Sequence, residues 1–515
     1  MTFTSRPLAH EKTPSRWKGV LLAAAPYAMK FGGLFVALYG KWKIRHEEDE
    51  RRTRRIRILK RIAVILVAVL VGVLIVAGTV KALVQMRILT LQTFFSVAGA
   101  DLPADENGFT NILLLGAGDK DHDGVDLTDS MMVVSLDPWK TKSAVMLSLP
   151  RDLYMLSTES MGKGRINELY RNYKGYLRAT EKISGAEASP LAMKELAAEI
   201  GRKLGMEIHH VAKVDFTAFV EGVNALGGVD ITVPYDIVDV EYPGPNCTFE
   251  TFEIRKGPQH LDGETALKYA RSRHTTSDFG RSARQQQLLT ALAEKARSEG
   301  VARSPGTITQ LLKTLNEHVE TTMSFAEILG GARLGERIDR QNIVSMNLNL
   351  ESGIETSIVA PGGFLYAPQR DQFDGASVLL PVSIPEFPVT WKQIQAFVRL
   401  LLHNRTIVLQ KPQLHILNAG AKTGMGRRLG NELIRYGFDD VETDNASDDR
   451  KAPKIPASVV IARTKEDEDL AKFFASLLGL PSGLLPAGVV PEKQGQVTII
   501  LGTDYVYTPL QDLVP

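Results

Sequence analysis

Several arginines fall close together in the chain: Arg271-Ser-Arg273, then Asp278-Phe-Gly-Arg281-Ser-Ala-Arg284-Gln285-Gln286. If 271–273 is extended, Arg271 and Arg273 share one face. Arg281, Arg284 and Gln285, spaced i, i+3, i+4, share the face of a helix. Such a group repels itself unless an anion compensates. Guanidinium grips phosphate through two parallel hydrogen bonds and stays charged at any working pH. The plain alternative is a solvated basic face. A second cluster, His122-Asp-Gly-Val-Asp-Leu-Thr-Asp-Ser130, puts Asp123, Asp126 and Asp129 in one loop. Carboxylates beside hydroxyls suit Mg²⁺, a hard cation that prefers oxygen. An ordinary solvated acidic loop would look the same, and the spacing is not that of an EF-hand. A third piece, Ser148-Leu-Pro-Arg151-Asp152, ends an apolar run. Ligand sites of α/β sheets lie beyond the carboxyl ends of strands, which aims Arg151 at such a crevice; a surface ion pair with Asp152 is the bland reading. A pyrophosphate held by arginines beside an aspartate-bound Mg²⁺ is a phosphoryl-transfer site, where catalysis is mostly positioning and charge neutralisation. No nucleophile–histidine triad is evident, and His122, His209, His210, His260 and His274 lack zinc spacing. The single cysteine, Cys247, excludes an internal disulfide and a Cys-based zinc site.

The elements that must position these residues alternate. Asn111–Gly116, Met131–Leu136 and Ala144–Leu149 read as buried strands. Leu191–Leu204 and Phe216–Leu226 read as helices, and Val229–Val233 returns to strand. Asp262 is a plausible cap for a short helix over GETALKYA. A long helix starts near Ser282. Residues 368–394 read as closing loops with a strand. The expected class is α/β, a central mixed sheet covered by helices. A fresh unit starts at Leu414–Asn418 and continues through a helix at Arg427–Tyr436, a strand at 458–461, a helix at Asp467–Leu478 and a strand at Val497–Leu501. It reads as a small C-terminal α/β domain. Its Gly424-Met-Gly-Arg-Arg-Leu-Gly430 misses the dinucleotide fingerprint by one residue, and those glycines read as turn and packing positions.

The chain has 515 residues and a net charge of +2, which hides an asymmetry. Residues 1–61 hold a surplus of ten basic groups, so the remainder is mildly acidic. A nucleic-acid partner is excluded on that ground, since it would need a basic folded surface. The basic run from Arg51 to Arg61 abuts Ile62–Val80, which has no charge. That stretch is long enough for a transmembrane helix, about 28 Å at 1.5 Å per residue. Basic flanks stay inside, so the expectation is a single-pass protein of the cell membrane. Its N-terminus is cytoplasmic and its folded part extracellular, with membrane lipid as a partner. A second apolar stretch, Gly19–Gly40, is broken by Pro26 and Lys30 and reads as interfacial, with a second span as the competitor. The expected layout is a basic cytoplasmic region 1–61, a span 62–80, a stalk 81–107, a first folded domain 108–403 and a second at 412–504.

Seven segments carry a resemblance: NILLLG (111–116), DLTDS (126–130), SLPRDLY (148–154), GRIN (164–167), VDFTAFVEGVNALGGVDITV (214–233), GPQHLDGETALKYARSR (257–273) and DFGRSARQQQLL (278–289). In this order, after one apolar span, they resemble the LytR-CpsA-Psr family. HILNAGAKTGMGRRLGNELIRYGF (415–438) is similar to the LytR-type C-terminal domain often fused to it. The resemblance implies a phosphotransferase moving a glycopolymer phosphate from a polyprenyl-pyrophosphate carrier to peptidoglycan. It also implies Mg²⁺ and a tunnel for the lipid tail. By motif it assigns Asp129 a catalytic or metal-linked role and Arg151 a catalytic one, and it assigns Arg151, Arg271, Arg273, Arg281 and Gln285 to the pyrophosphate. Asp278 matches more loosely, and Asp126 joins Asp129 as a metal ligand. Many members carry Arg where this chain has Leu127, and Gly116-Ala-Gly-Asp119 departs from the commoner Gly-x-Asp. Both departures bear on the ligand set, including Asp119 and Asp123. The rival functions are a polyprenyl pyrophosphate hydrolase, a non-catalytic wall or lipid-carrier adaptor, and a transcriptional attenuator; membrane topology argues against the last.

Overall fold

A computed structural model describes residues 101–119, 124–244, 248–273, 278–301, 318–348, 363–382, 389–446, 454–486 and 495–514, all within one compact unit, Leu91–Pro515. The expected basic region, the span 62–80, the segment 19–40, residues 81–100 of the stalk, His122, Asp123, Cys247 and His274 lie outside them. Among the described residues no helix is long and apolar enough to cross a membrane.

The first part of the fold holds strands β1 (Thr110–Ala117), β2 (Thr128–Asp137) and β3 (Ser143–Leu149), then helices α1 (Ile166–Ala179) and α2 (Gly185–Leu204). Next come β4 (His210–Val214), α3 (Phe216–Ala225), β5 (Val229–Val233), β6 (Ile237–Pro243), β7 (Phe249–Ile254), β8 (Gly257–Leu261), α4 (Gly263–Arg271) and α5 (Asp278–Ser298). β9 (Val319–Thr321), α6 (Phe325–Arg337) and β10 (Ile343–Asn347) follow. Six of these strands form a mixed sheet in the order β9-β4-β1-β2-β3-β10, parallel at β4/β1 and β3/β10 and antiparallel elsewhere. Every residue of β3 is buried, as expected for a strand covered on both faces. The mixed α/β class is therefore the observed one.

The local chemistry explains the boundaries. Asp262 accepts a hydrogen bond from the Thr265 amide at 2.8 Å and so caps α4. Gly263 lies against the Val220 backbone of α3, where a side chain has no room. α2 starts under a Ser184 cap and ends at Gly205 in the left-handed region. Two expectations are corrected. Residues 271–273 are not extended as a unit: Arg271 ends α4, and only after it does the chain leave the helix, at Ser272. The long helix starts at Asp278, one turn earlier than Ser282. α1, α6 and the strands β4, β6, β7, β8, β9 and β10 were not anticipated.

The C-terminal sheet joins β11 (Leu414–Asn418), β12 (Val441–Asn445), β13 (Val459–Ala462) and β14 (Val497–Leu501) in the order β12-β11-β14-β13. It carries α8 (Met425–Arg435) and α9 (Glu468–Leu478), preceded by α7 (Lys392–His403). The α7 helix was not anticipated; it overlaps the expected closing loops 368–394 only in its first turn. One buried core runs through both parts, from Leu113 and Leu196 through Phe397 to Leu433 and Ile499. At the joint, Phe364, Phe397 and Tyr436 pack ring against ring with centroids 4.7 to 6.3 Å apart.

Arg405 ties the joint down. It is 1% exposed, and its guanidinium donates to the Ser135 carbonyl at 3.2 Å and the Ser135 hydroxyl at 3.0 Å. Its Nε donates to the Leu402 carbonyl at 2.9 Å, and it lies 4.0 Å above the Phe109 ring. Burial pulls its pKa down to about 10, with Asp137 and Asp105 opposing, so it remains charged at neutral pH. Removing the guanidinium leaves the buried Ser135 and Leu402 acceptors without their donor and leaves a cavity, while Asp137 keeps its Lys140 and Thr141 donors. Arg405→Ala is expected to lose about 3–5 kcal/mol of stability, and Arg405→Met, which refills the space with apolar volume, distinctly less. Urea unfolding of both variants checks the order; equal stability of Arg405→Ala and the wild type would contradict it.

Candidate functional site

The β1–β2 ladder contains the central irregularity of the site. Gly116 pairs with Ser130 and Ala117 with Thr128, so Asp129 between them has no partner across the ladder. It is the extra residue of a bulge, a device that re-aims a side chain. The carboxylate turns toward Arg151, whose Nη1 donates to Oδ2 at 3.3 Å, and toward Asn167, whose Nδ2 donates to Oδ1 at 2.9 Å. The Arg273 guanidinium lies 4.0 Å from the same Oδ2. Arg151 follows β3, as expected of a residue beyond a strand's carboxyl end, and its Nε lies 3.7 Å from Asp152. The Asp152 ion pair considered as the bland alternative therefore exists, at long range, beside the contact to Asp129.

A cavity of about 230 Å³ opens here; its walls include Asp129, Arg151, Asp152, Arg281, Ser282 and Gln285. Arg281 is buried and reaches it from the first turns of α5, with Gln285 one turn on. The Ser130 hydroxyl donates to the Gln285 carbonyl oxygen at 2.8 Å and joins the bulge to α5. Gln286, buried, sends its amide to the Met146 and Met346 carbonyls and the Ser148 hydroxyl, which fixes α5 across β3 and β10.

The arginines divide between two tasks. Arg151, Arg273, Arg281 and Gln285 gather around Asp129 and the cavity. Arg271 is not on the cavity wall: its guanidinium stacks 4.2 Å above Phe216 and 5.6 Å from the Tyr242 ring. Arg284 is buried beneath α4 and donates to the Tyr269 carbonyl at 2.9 Å and to the Ser272 carbonyl. Burial holds its pKa below the usual arginine value. The helix face read from spacing is therefore Arg281 with Gln285, while Arg284 secures the end of α4. The Asp239 carboxylate accepts from the Ser272 hydroxyl at 2.8 Å and the Arg273 amide at 2.9 Å, which fixes the turn that carries Arg273. Asp278 begins α5, but its side chain lies outside the described residues.

Among the described residues no three His, Cys, Asp or Glu side chains converge as a ready-made metal site. Asp129 and Asp152 are the carboxylates on the cavity wall. That donor set fits Mg²⁺, which keeps several waters and is usually held by one or two carboxylates plus the substrate's phosphates. Asp126, expected beside Asp129, is committed elsewhere. Its two oxygens accept from Lys213 at 2.7 Å and Lys174 at 2.8 Å, and it does not line the cavity. Burial pushes its carboxyl up, but those two ammonium groups outweigh burial and hold it below the ordinary value. Asp119 accepts from the Thr217 amide at 3.0 Å at the start of α3. Sequence reasoning missed Asn167, Ser130, Asp239, Lys174 and Lys213 as parts of the site. Asn167 lay in plain view in Gly164-Arg-Ile-Asn167; a polar residue in the first turn of an amphipathic helix, followed by apolar Leu169 and Tyr170, was the available signal.

The LytR_cpsA_psr family pattern matches residues 88–374, and the pattern described as LytR cell envelope-related transcriptional attenuator matches 411–505. The cell wall biosynthesis protein LcpA of Corynebacterium glutamicum is 26% identical over 387 residues, 68% of this chain and 66% of that protein. The polyisoprenyl-teichoic acid–peptidoglycan teichoic acid transferase TagV of Bacillus subtilis is 32% identical over 232 residues, 43% of this chain and 53% of that protein. The chain thus spans between about half and two thirds of the length of these relatives. The crystal structure of B. subtilis TagV is similar over 57% of this chain and 97% of that one, at 24% identity and a TM-score of 0.40. With the first pattern covering more than half of its length, the chain belongs to the LytR_cpsA_psr family.

Proposed function

We propose that this protein is a phosphotransferase that moves a glycopolymer, with its linking phosphate, from a polyprenyl-pyrophosphate carrier to a hydroxyl of peptidoglycan. The observation that carries the reading is the Asp129 carboxylate, turned out of the ladder by a bulge into a cavity shared with Arg151 and Arg281. Relatives named as teichoic acid transferases support the reaction class. In the step, an acceptor hydroxyl oxygen bonds to the phosphorus next to the sugar. The bond from that phosphorus to the bridging oxygen breaks, polyprenyl phosphate leaves with the electron pair, and the hydroxyl proton passes to a base or solvent. Arg151, Arg281 and Arg273 hold the pyrophosphate and offset the charge that builds on the leaving phosphate. Gln285 orients it through its amide. Asp129 would hold a Mg²⁺ together with the phosphates, and the ion would supply Lewis-acid neutralisation of the charge that builds on the leaving phosphate.

The basic run before Ile62 supports an N-in, C-out anchor, with the folded part on the outer face where its acceptor is. Protease added to wall-stripped cells is expected to digest the chain beyond residue 81; full protection of that region would refute this topology. Protein extracted from membranes is expected to carry polyprenyl phosphate or pyrophosphate, detectable by mass spectrometry.

The direct test incubates the detergent-solubilised chain with a labelled lipid-linked saccharide, Mg²⁺ and peptidoglycan fragments. Label is expected to move to the fragments. A hydrogen bond to a charged group contributes about 1.5–3 kcal/mol, so Arg281→Ala is expected to slow transfer by roughly 10- to 100-fold. Arg281→Lys keeps the charge but loses the planar fork, and rescues only in part. Asp129→Ala is expected to raise the Mg²⁺ requirement or abolish turnover. Folded variants that all transfer at the wild-type rate would refute the site; release of free saccharide in place of transfer would favour the hydrolase.

A further inference from the structure

The turn that delivers Asp129 is held from behind by charges that never reach the cavity. Residues 124–127 form a tight turn, with the Leu127 amide donating to the Gly124 carbonyl at 2.9 Å. Asp126 sits in it at φ 63°, a region that side chains other than glycine seldom adopt. Something must hold it there, and the structure supplies two ammonium groups on opposite oxygens of the carboxylate. Lys213 of β4 meets Oδ1 at 2.7 Å, and Lys174 of α1 meets Oδ2 at 2.8 Å. Lys213 is 7% exposed and also pairs with Glu320 at 2.6 Å. Burial pulls its pKa down, but Tyr170, Asp126 and Glu320 together outweigh burial and raise it. The Tyr170 ring lies beneath both ammonium groups, 4.8 Å from Lys213 and 5.4 Å from Lys174.

One face of α1 spans this whole device. Asn167, Tyr170 and Lys174 are spaced i, i+3, i+7 and so lie along one helical stripe. At one end of the stripe, Asn167 donates to Asp129 at 2.9 Å and its carbonyl accepts from the Thr128 hydroxyl at 3.3 Å. At the other, Lys174 grips Asp126. The bulge frees Asp129 from the ladder, so strand pairing alone does not set its direction. The segment 126–129 is pinned at both ends against α1 and at one end also against β4.

We propose that Asp126, Lys174 and Lys213 are positioning residues for the transfer reaction: an internal clamp that fixes the aim of the Asp129 carboxylate without touching substrate. This inference rests on the proposed transfer function. The clamp acts on the orientation of one reacting group. It therefore affects turnover, while pyrophosphate binding by Arg151, Arg273 and Arg281 is left intact.

Asp126→Gly is the informative variant, because glycine adopts a positive φ without strain. The turn keeps its backbone shape and loses both ion pairs. Lys174→Met removes one jaw, and Lys174→Arg restores a charged donor. Each full-length variant is assayed for transfer of labelled saccharide from the lipid-linked donor to peptidoglycan fragments, with kcat, KM for the donor and Tm measured on the same sample. The expected result is a kcat about 10- to 100-fold lower for Asp126→Gly, the scale set by an ångström of misplacement. KM is expected to stay within about twofold, and Lys174→Arg to recover most of what Lys174→Met loses. A merely structural role predicts a lower Tm with kcat per folded molecule unchanged, and that result overturns the clamp. If Asp126→Gly fails to fold, a folded Lys174→Met with wild-type kcat overturns it equally. If the wild type moves no label, the transfer reading falls and takes the clamp with it. If the wild type transfers and the folded variants match it, only the clamp falls.

Discussion

Positive charge cannot be gathered at one point without negative charge to hold it there, and the architecture around the cavity follows from that constraint. Three guanidinium groups approach one small space, and like charges at such range repel by more than thermal energy. The opposing charge is Asp129, within 3.3 Å of Arg151 and 4.0 Å of Arg273, with Asp152 behind Arg151 and Arg165. The carboxylate offsets the charge of the arginines, and Arg151 has Asp152 as a second anchor. Every element nearby can be read as a device for keeping that one carboxylate in place: a bulge turns it out, an asparagine steadies its other oxygen, and β3 sets Arg151 opposite.

The second requirement is that the two cationic segments after β8 keep a fixed distance. Buried polar contacts on both sides of the α4–α5 connection hold that distance. Arg284 ties the end of α4 to α5, Asp239 ties the Arg273 turn to β6, and Gln286 ties α5 to the sheet. Each uses a buried polar group whose loss would leave an unsatisfied partner, which makes these contacts sharp in geometry as well as stabilising. Residues that resemble ligands in the sequence are in several cases the braces that make a binding residue possible.

Much of the framework was legible because its signals are local. Val229–Val233 and Val497–Leu501 are strands with the bounds read from apolar runs, and Asp262 caps the helix it was expected to cap. Arg281 and Gln285, read as sharing one helix face, line the cavity together, and so does Arg151, read as lying beyond the end of a strand. The misreadings came from information that spacing does not hold. Arg271 differs from Arg273 only in whether the chain is still helical, and aromatic neighbours from α3 and β6 capture it. Asp126 resembles Asp129 in sequence, but lysines 48 and 87 residues away take its oxygens. The edge strands β9 and β10 are short and only half buried, so their pattern is weak, and tertiary pairing makes them strands.

The interval between the two sequence patterns, residues 375–410, does not coincide with a boundary in packing. Phe397 and Leu401 of α7 belong to the same core as Leu196 before them and Leu433 after them, and Arg405 spends its hydrogen bonds on β2, 270 positions back. In mechanical terms the C-terminal piece is built in, not appended. A bead on a string can be shuffled, lost or swapped between lineages without touching its neighbour. Here, any exchange at that seam would open an apolar wound in the part that holds the chemistry. Insertions, deletions and partner-specific variation are therefore expected to collect on the outer rim of the C-terminal sheet, around β12, and to spare the seam.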